Sequence, residues 1–254
     1  MTPLRPDPLF NLSGRRALIT GSTRGLGRVM AEAMIARGAA VVVHGRDADT
    51  ARQVAAEIGA AESCAFDLGQ AEAAGPALAG VLAPGPIDIL VNNAGLHRRG
   101  KLLDLSLADW RTVLDTNLTG AFAVARAVVP GMIAQGHGKV INICSLMSEL
   151  GRPTTGNYMA AKGGLKMLTR AMTVEWAHHN IQANAVGPGY FATELNAPLI
   201  ADAKFDAWIK ARTPAGRWGD PSELVGAVIF LASPASNYVN GQLLFVDGGI
   251  TAAI

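Results

Sequence analysis

The chain has 254 residues, half of them hydrophobic, which fits one α/β domain with a large core. Lys plus Arg number 22 against 20 Asp plus Glu, and no basic run exceeds Arg98-Arg99, so a nucleic-acid partner has no electrostatic footprint. Cys64 and Cys144 lie in apolar runs and read as buried thiols of a reducing compartment; no spacing of His, Cys, Asp or Glu resembles a metal site. Residues 1–11 read as an N-terminal extension, with prolines at 3, 6 and 8 and without the apolar segment of a signal peptide. No run approaches the ~20 apolar residues of a spanning helix, so no membrane partner and a cytoplasmic protein are expected.

In chain order, strands are predicted over residues 17–20, 40–44, 63–66, 87–92, 139–144, 182–186 and 243–246. Most are continuous apolar runs rather than alternating ones, as in parallel strands covered on both faces. After the first strand, Leu26, Val29, Met30, Ala33 and Met34 fall at i, i+3, i+4, i+7 and i+8, the apolar face of a helix over 26–37. Two longer helices over 109–133 and 157–178 are rich in small residues, which predicts close packing on the sheet or on another subunit. The alternation predicts a Rossmann-like doubly wound parallel seven-stranded sheet flanked by helices, with right-handed crossovers. No linker or repeat divides the chain, so 1–254 is read as a single domain.

In such sheets ligands sit outside the carboxyl ends of the strands, at the topological switch point. That rule selects residues 21–27, 45–47, 67–68, 93–101, 145–153 and 187–195. In the first segment, Gly21, Thr23, Arg24, Gly25, Leu26 and Gly27 link a strand to a helix. Glycines there let backbone amides approach a pyrophosphate, and a helix N-terminus favours negative charge. After the second strand, an acidic residue would bond a ribose 2′-hydroxyl, whereas arginine suits a 2′-phosphate. Gly45-Arg46-Asp47, with Arg24 nearby, favours NADP over NAD; the alternative leaves Arg46 in solvent and puts Asp47 on the ribose. Asp67 and Leu68 are placed to frame adenine, and Asn93, Ala94 and Gly95 to form a compact turn beside the cofactor.

Tyr158 and Lys162 are four residues apart, thirteen and seventeen after Ser145. On a helix that spacing puts phenol and ammonium on one face. A phenol titrates near roughly 10, and a neighbouring ammonium favours the phenolate, so the expectation is a proton carrier with a lowered pKa. Each residue also has a plainer reading: Ser145 as a helix cap, Asn117 bonded to backbone within its helix, Lys162 in solvent.

As a set, the glycine loop 20–27, Asn92-Asn-Ala-Gly95, Asn117, Ser145, Tyr158-x-x-x-Lys162, Pro188-Gly189 with Thr193, and Val246-Asp-Gly-Gly249 resemble the short-chain dehydrogenase/reductase family, over residues 12–249. The resemblance implies a catalytic tetrad of Asn117, Ser145, Tyr158 and Lys162. Tyr158 would carry the proton, Ser145 would hold the substrate oxygen, Lys162 would also bind the nicotinamide ribose, and Asn117 would hold a water. It further implies a nicotinamide pocket shaped by Pro188 and Gly189, with Thr193 on the carboxamide, and a homotetramer built on the two long helices and the C-terminal segment.

Within the family, Asn92-Asn-Ala-Gly-Leu-His-Arg-Arg99, Ile141-Asn-Ile-Cys-Ser-Leu-Met-Ser-Glu-Leu-Gly-Arg-Pro153, Gly187-Pro-Gly-Tyr-Phe-Ala-Thr-Glu194 and Arg212-Thr-Pro-Ala-Gly-Arg-Trp-Gly219 are similar to the gluconate 5-dehydrogenase group. This implies NADP-linked interconversion of D-gluconate and 5-dehydro-D-gluconate. His44 departs from that group, where a small amide more often precedes Gly-Arg. A sugar acid needs a cation for its carboxylate, and Arg98, Arg99 and Arg152 are candidates; Glu149 and His97 are candidates for its hydroxyls, beside Ser145 and Tyr158. Residues 190–217 read as a substrate lid packed by Trp208 and Trp218, with Trp176 in core or interface. The alternatives are a 2-dehydro-3-deoxygluconate 5-dehydrogenase, a 3-oxoacyl-carrier-protein reductase, or a non-catalytic NADP-binding protein.

Overall fold

The structure, a computed structural model, describes residues 8–253, so most of the predicted N-terminal extension (1–7) lies outside the described residues. Seven strands form one parallel sheet: β1 (Arg16–Ile19), β2 (Ala40–Gly45), β3 (Glu62–Ala65), β4 (Ile89–Asn92), β5 (Gly138–Ile143), β6 (Ile181–Pro188) and β7 (Leu243–Val246). Their order is β3-β2-β1-β4-β5-β6-β7, so the chain reverses direction across the sheet between β1 and β4. The helices are α1 (Gly25–Ala36), α2 (Ala48–Ile58), α3 (Ala74–Leu82), α4 (Leu107–Leu114), α5 (Gly120–Gln135), α6 (Gly156–Trp176), α7 (Ala197–Ala201), α8 (Ala203–Arg212) and α9 (Val225–Ala232).

The continuous apolar runs have a direct cause. Side chains alternate across a strand, and both faces are covered. Ala17, Ile19, Val41, Val43, Ile89 and Val91 face a core shared with α1, α2 and α9. Leu18, Val42, Leu90, Val140 and Ala183 face a second core with α3 and α5, through Leu78, Val124, Val128 and Met132. At the opposite end from the candidate site, Asp88 fastens the strand starts. Its Oδ2 accepts from the Arg16 backbone N–H at 2.8 Å, and its Oδ1 from Arg15 Nη1 at 2.9 Å.

Three features differ from the predicted elements. The strand expected to end at 186 continues through Pro188, because Gly187 and Pro188 pair with Phe245 and Val246 of β7. The helix expected over 109–133 is interrupted by a π turn, Asp115–Thr119, between α4 and α5. The helical run Leu107–Gln135 is also long and apolar enough to cross a membrane by length and composition, which corrects the expectation that no run comes near this. Its apolar side, with Val124, Val128 and Met132 all at 0% exposure, is what covers the sheet.

Leu18 lies in β1, an interior strand of the sheet, at 0% exposure. Leu18→Ala is therefore expected to cost about 2–5 kcal/mol, read as a lower urea midpoint with an unchanged denaturant slope.

Candidate active site

The loops after β1 and β4 meet at the switch point and are fastened to each other. Thr20 Oγ1 accepts from the backbone N–H groups of Asn93 (2.9 Å) and Ala94 (3.1 Å), and Asn93 Nδ2 donates to the carbonyls of Thr20 (2.9 Å) and Gly21 (3.1 Å). This close approach explains two of the glycines. Gly21 has φ +63°, and a Cβ there would stand 2.9 Å from Ala94 Cα; a Cβ on Gly27 would stand 2.2 Å from the Gly21 carbonyl oxygen. Gly25, by contrast, faces open space. Arg24 starts α1 without any side-chain cap, so the helix's first N–H groups have no side-chain acceptor. An uncapped helix start behind an open glycine turn fits a pyrophosphate.

His44 supports this loop from behind. It is 1% exposed, its Nδ1 accepts from the Gly21 N–H at 3.0 Å, and its Nε2 lies 3.2 Å from the Phe66 carbonyl oxygen. An accepting Nδ1 leaves the proton on Nε2, which then donates to Phe66. Burial pushes the imidazole down to about 4, so it is neutral. Beyond it, Arg24 and Arg46 are exposed. Asp47 is engaged as the N-cap of α2, its Oδ1 accepting from the Thr50 N–H (2.8 Å) and hydroxyl (2.6 Å). Gly45 lies against Thr23, whose Cγ2 would be 2.8 Å from an added Cβ. Leu26 and Leu68 pack into the two cores, and Asp67 Oδ1 accepts from the Gly69 N–H at 2.9 Å.

The second half of the site is carried by α6 and the turns facing it. Tyr158 and Lys162 share one side of α6, with Nζ 5.8 Å from the phenol centroid. Lys162 is 3% exposed and donates to the Ile143 carbonyl at 2.5 Å, so it is not a solvated lysine. Asn117 is presented by the π turn and bonds outside its own helix: Oδ1 accepts from the Leu96 N–H at 2.8 Å and Nδ2 donates to the Leu96 carbonyl at 2.9 Å. Gly95 lies between them; a Cβ there would be 3.3 Å from Asn117 Oδ1 and 3.6 Å from Lys162 Nζ. Ser145 Oγ accepts from the Met147 N–H at 3.2 Å, so it does cap a turn, and it is close enough to Tyr158 to favour that residue's phenolate.

The expected lowering of the Tyr158 pKa is not what the structure has. Burial raises it, outweighing the hydrogen bond with Ser145 that favours the phenolate. Lys162 is itself lowered by burial, and its ammonium lies over the ring and bonds Ile143 rather than reaching the phenol oxygen.

At the rim, His97 stacks on Tyr158 with centroids 4.9 Å apart and 19° between planes. Arg152 donates to Tyr190 Oη at 3.1 Å and lies 4.6 Å above the Phe205 ring. Tyr190, Phe205, Trp208 and Trp218 form one aromatic cluster in the segment between β6 and α9, and Trp218 Nε1 donates to Asp206 at 2.8 Å. Trp176 packs against the second core. Arg98 is exposed and pairs loosely with Asp109 at 3.9 Å, and Arg99 is exposed. Glu149 forms an ion pair with Lys166 of α6. Below them, Gly189 donates to the Val246 carbonyl at 2.9 Å and lies against Asp247, where an added Cβ would be 2.6 Å from Cα. Thr193 is half-buried beside this turn. The contact of Tyr190 with Arg152 and the stacking of His97 were not foreseen; the only local signal was that both residues follow strand ends.

The His44 pKa has a consequence for stability. Above pH ~6.5 the group is neutral folded and unfolded; as pH falls toward 4 the unfolded chain takes the proton first, so stability is lost across that window, by up to roughly 3 kcal/mol. His44→Asn, which keeps an acceptor for Gly21 and cannot titrate, is expected to flatten the fall in Tm between pH 6.5 and 4 relative to wild type.

A family model described as Enoyl-(Acyl carrier protein) reductase matches residues 21–251. The gluconate 5-dehydrogenase of Gluconobacter oxydans is 46% identical over 254 residues, covering 98% of this chain and 99% of that protein. The 2-dehydro-3-deoxy-D-gluconate 5-dehydrogenase of Formosa agariphila is 48% identical, covering 97% and 96%. A crystal structure of a gluconate 5-dehydrogenase from Burkholderia cenocepacia in complex with NADP and tartrate superposes with TM-score 0.93 at 50% identity, covering 97% and 99%. The chain belongs to the short-chain dehydrogenase/reductase family of oxidoreductases.

Proposed function

We propose that the chain interconverts D-gluconate and 5-dehydro-D-gluconate with NADP(H), Tyr158 being the general acid/base. The observation that carries this reading is the convergence of a dinucleotide cradle, the Ser145–Tyr158–Lys162–Asn117 group and an arginine rim at one edge of the sheet. A nicotinamide held in that cradle would supply the hydride acceptor for alcohol oxidation and, in reduced form, the hydride donor for ketone reduction. Gly21, Thr23, Arg24, Gly25, Leu26 and Gly27 would hold the pyrophosphate, and Asp67, Leu68, Asn93, Ala94 and Gly95 would line the adenosine side. Pro188, Gly189 and Thr193 would shape the nicotinamide end. Arg24 and Arg46 are exposed and therefore available to a 2′-phosphate, and the capping role of Asp47 makes it a poor ribose ligand.

In oxidation, the substrate hydroxyl loses its proton to Tyr158 as the hydride leaves carbon; in reduction the phenol returns it. The raised pKa keeps Tyr158 protonated at neutral pH, the form that ketone reduction requires. Ser145 Oγ holds the reacting oxygen at the phenol. The Lys162 charge stabilises the phenolate as it forms, and Asn117 holds a water that links Lys162 to solvent. Arg99 and Arg152, whose charges both reach His97, are the pair best placed for the carboxylate. Residues 190–217 would close over the substrate.

The Formosa relative supports one second reading, 2-dehydro-3-deoxy-D-gluconate as substrate, whose reacting carbon is also C5. We read the protein as a cytoplasmic homotetramer: α5 and α6 expose Phe122, Met167 and Val174, and β7 exposes Leu244.

An NADPH absorbance assay over sugar acids and polyols should show fastest turnover with 5-dehydro-D-gluconate; preference for the deoxy acid would replace the first reading with the second. Tyr158→Phe is expected to lower kcat by roughly 10²–10⁴, and full turnover in that variant would remove Tyr158 as proton carrier. Arg46→Ala should weaken NADP binding by about tenfold or more and leave NAD binding nearly unchanged; equal losses would count against a 2′-phosphate contact.

A further inference from the structure

We infer that His97 is a specificity-determining residue: its Nδ1 binds the substrate hydroxyl next to the reacting carbon, on the carboxylate side, and so selects polyhydroxy acids over simpler ketones and alcohols. The assignment rests on the sugar-acid reading above, and holds for both acids weighed there because each carries a hydroxyl at C4.

Three observations converge on this residue. The first is the stack on Tyr158, 4.9 Å between centroids and 19° between planes. Imidazole donors and acceptors lie in the ring plane, so a ring lying flat on the phenol cannot bond the phenol oxygen. Its nitrogens are instead directed outward, in the plane of a ring that borders the phenol.

The second is an unmet need. His97 Nδ1 is shut off from solvent with no hydrogen-bond partner, one of two such side-chain atoms among the described residues. Leaving a buried polar atom unpaired is destabilising. A site retains such an atom when a ligand or water completes it. The other such atom, Asn92 Oδ1, belongs to a side chain already tied to Asn142 inside the sheet; His97 instead borders the catalytic phenol.

The third is charge. Burial, then the guanidinium groups of Arg99 and Arg152, push His97 down to about 4, so it is a neutral imidazole at working pH. A neutral imidazole can donate or accept at Nδ1 by choice of tautomer, which suits a hydroxyl, itself both donor and acceptor. The two arginines take the carboxylate, and His97, which feels both charges, is stacked on Tyr158. A chain running from carboxylate to reacting carbon passes it.

The test compares kcat/KM for 5-dehydro-D-gluconate and its 4-deoxy analogue. Wild type should prefer the hydroxylated acid by roughly tenfold or more. His97→Phe keeps a flat ring on Tyr158 and removes Nδ1; it should raise KM for the hydroxylated acid roughly 10- to 100-fold, leave the 4-deoxy analogue unchanged, and leave NADPH binding by fluorescence unchanged. His97→Asn restores a polar atom near the Nδ1 position and should recover most of the preference. Equal losses on both substrates would mean that His97 acts only by packing Tyr158, and would overturn the assignment; so would wild type that ignores the 4-hydroxyl, a result that needs no variant to fold. Wild type inactive on every sugar acid overturns the proposed function itself, whereas active wild type with an unaffected His97→Phe overturns the His97 assignment alone.

Discussion

Thr20 and Asn93 hold the two halves of the site together. Four hydrogen bonds run between the turn after β1 and the turn after β4, two into the Thr20 hydroxyl and two out of the Asn93 amide. They close the gap at the place where the strand order reverses, so the glycine loop and the Asn93–Gly95 turn become one surface. Glycine at 21 and 27 follows from that closeness rather than from flexibility, because any side chain would meet the facing turn. On the far side, His44 completes the support by tying Gly21 to the end of β3.

A second property runs through the whole edge. His44, His97, Tyr158 and Lys162 all have pKa values moved by burial toward their neutral forms. Taking these groups out of water disfavours each charge, and the same dryness strengthens any hydrogen bond or ion pair that a bound ligand brings. The arginines are treated differently. Arg152 is wedged against Phe205 and bonded to Tyr190, keeping its charge at a half-buried rim, while Arg98 stays in solvent. The site therefore has a dry floor and a cationic border.

Much of the fold was legible because each strand is buried on both faces, and an uninterrupted apolar run is the direct mark of that burial. All seven strands stand within two residues of their predicted limits. The π turn at 115–119 was not legible: one extra residue in a helical turn leaves the apolar period almost intact, and only the facing Leu96 backbone shows what Asn117 bonds to. Glu149 illustrates the converse. Its place after β5 points to the substrate side, and Lys166, seventeen residues on in α6, pairs with its carboxylate. Spacing in sequence carries no information about such a partner.

By itself, the sequence determined the alternation of strands and helices, the order of the loops along one sheet edge, and the residue types delivered there, because these depend on periodicity and local backbone chemistry. The tertiary structure alone decided the charge states and the pairings. The Tyr158 phenol is raised rather than lowered, Asp47 serves a helix cap, and His97 lies flat on the phenol with a nitrogen left over. Desolvation and stacking depend on what surrounds a side chain in three dimensions, and those neighbours come from segments far apart in the chain.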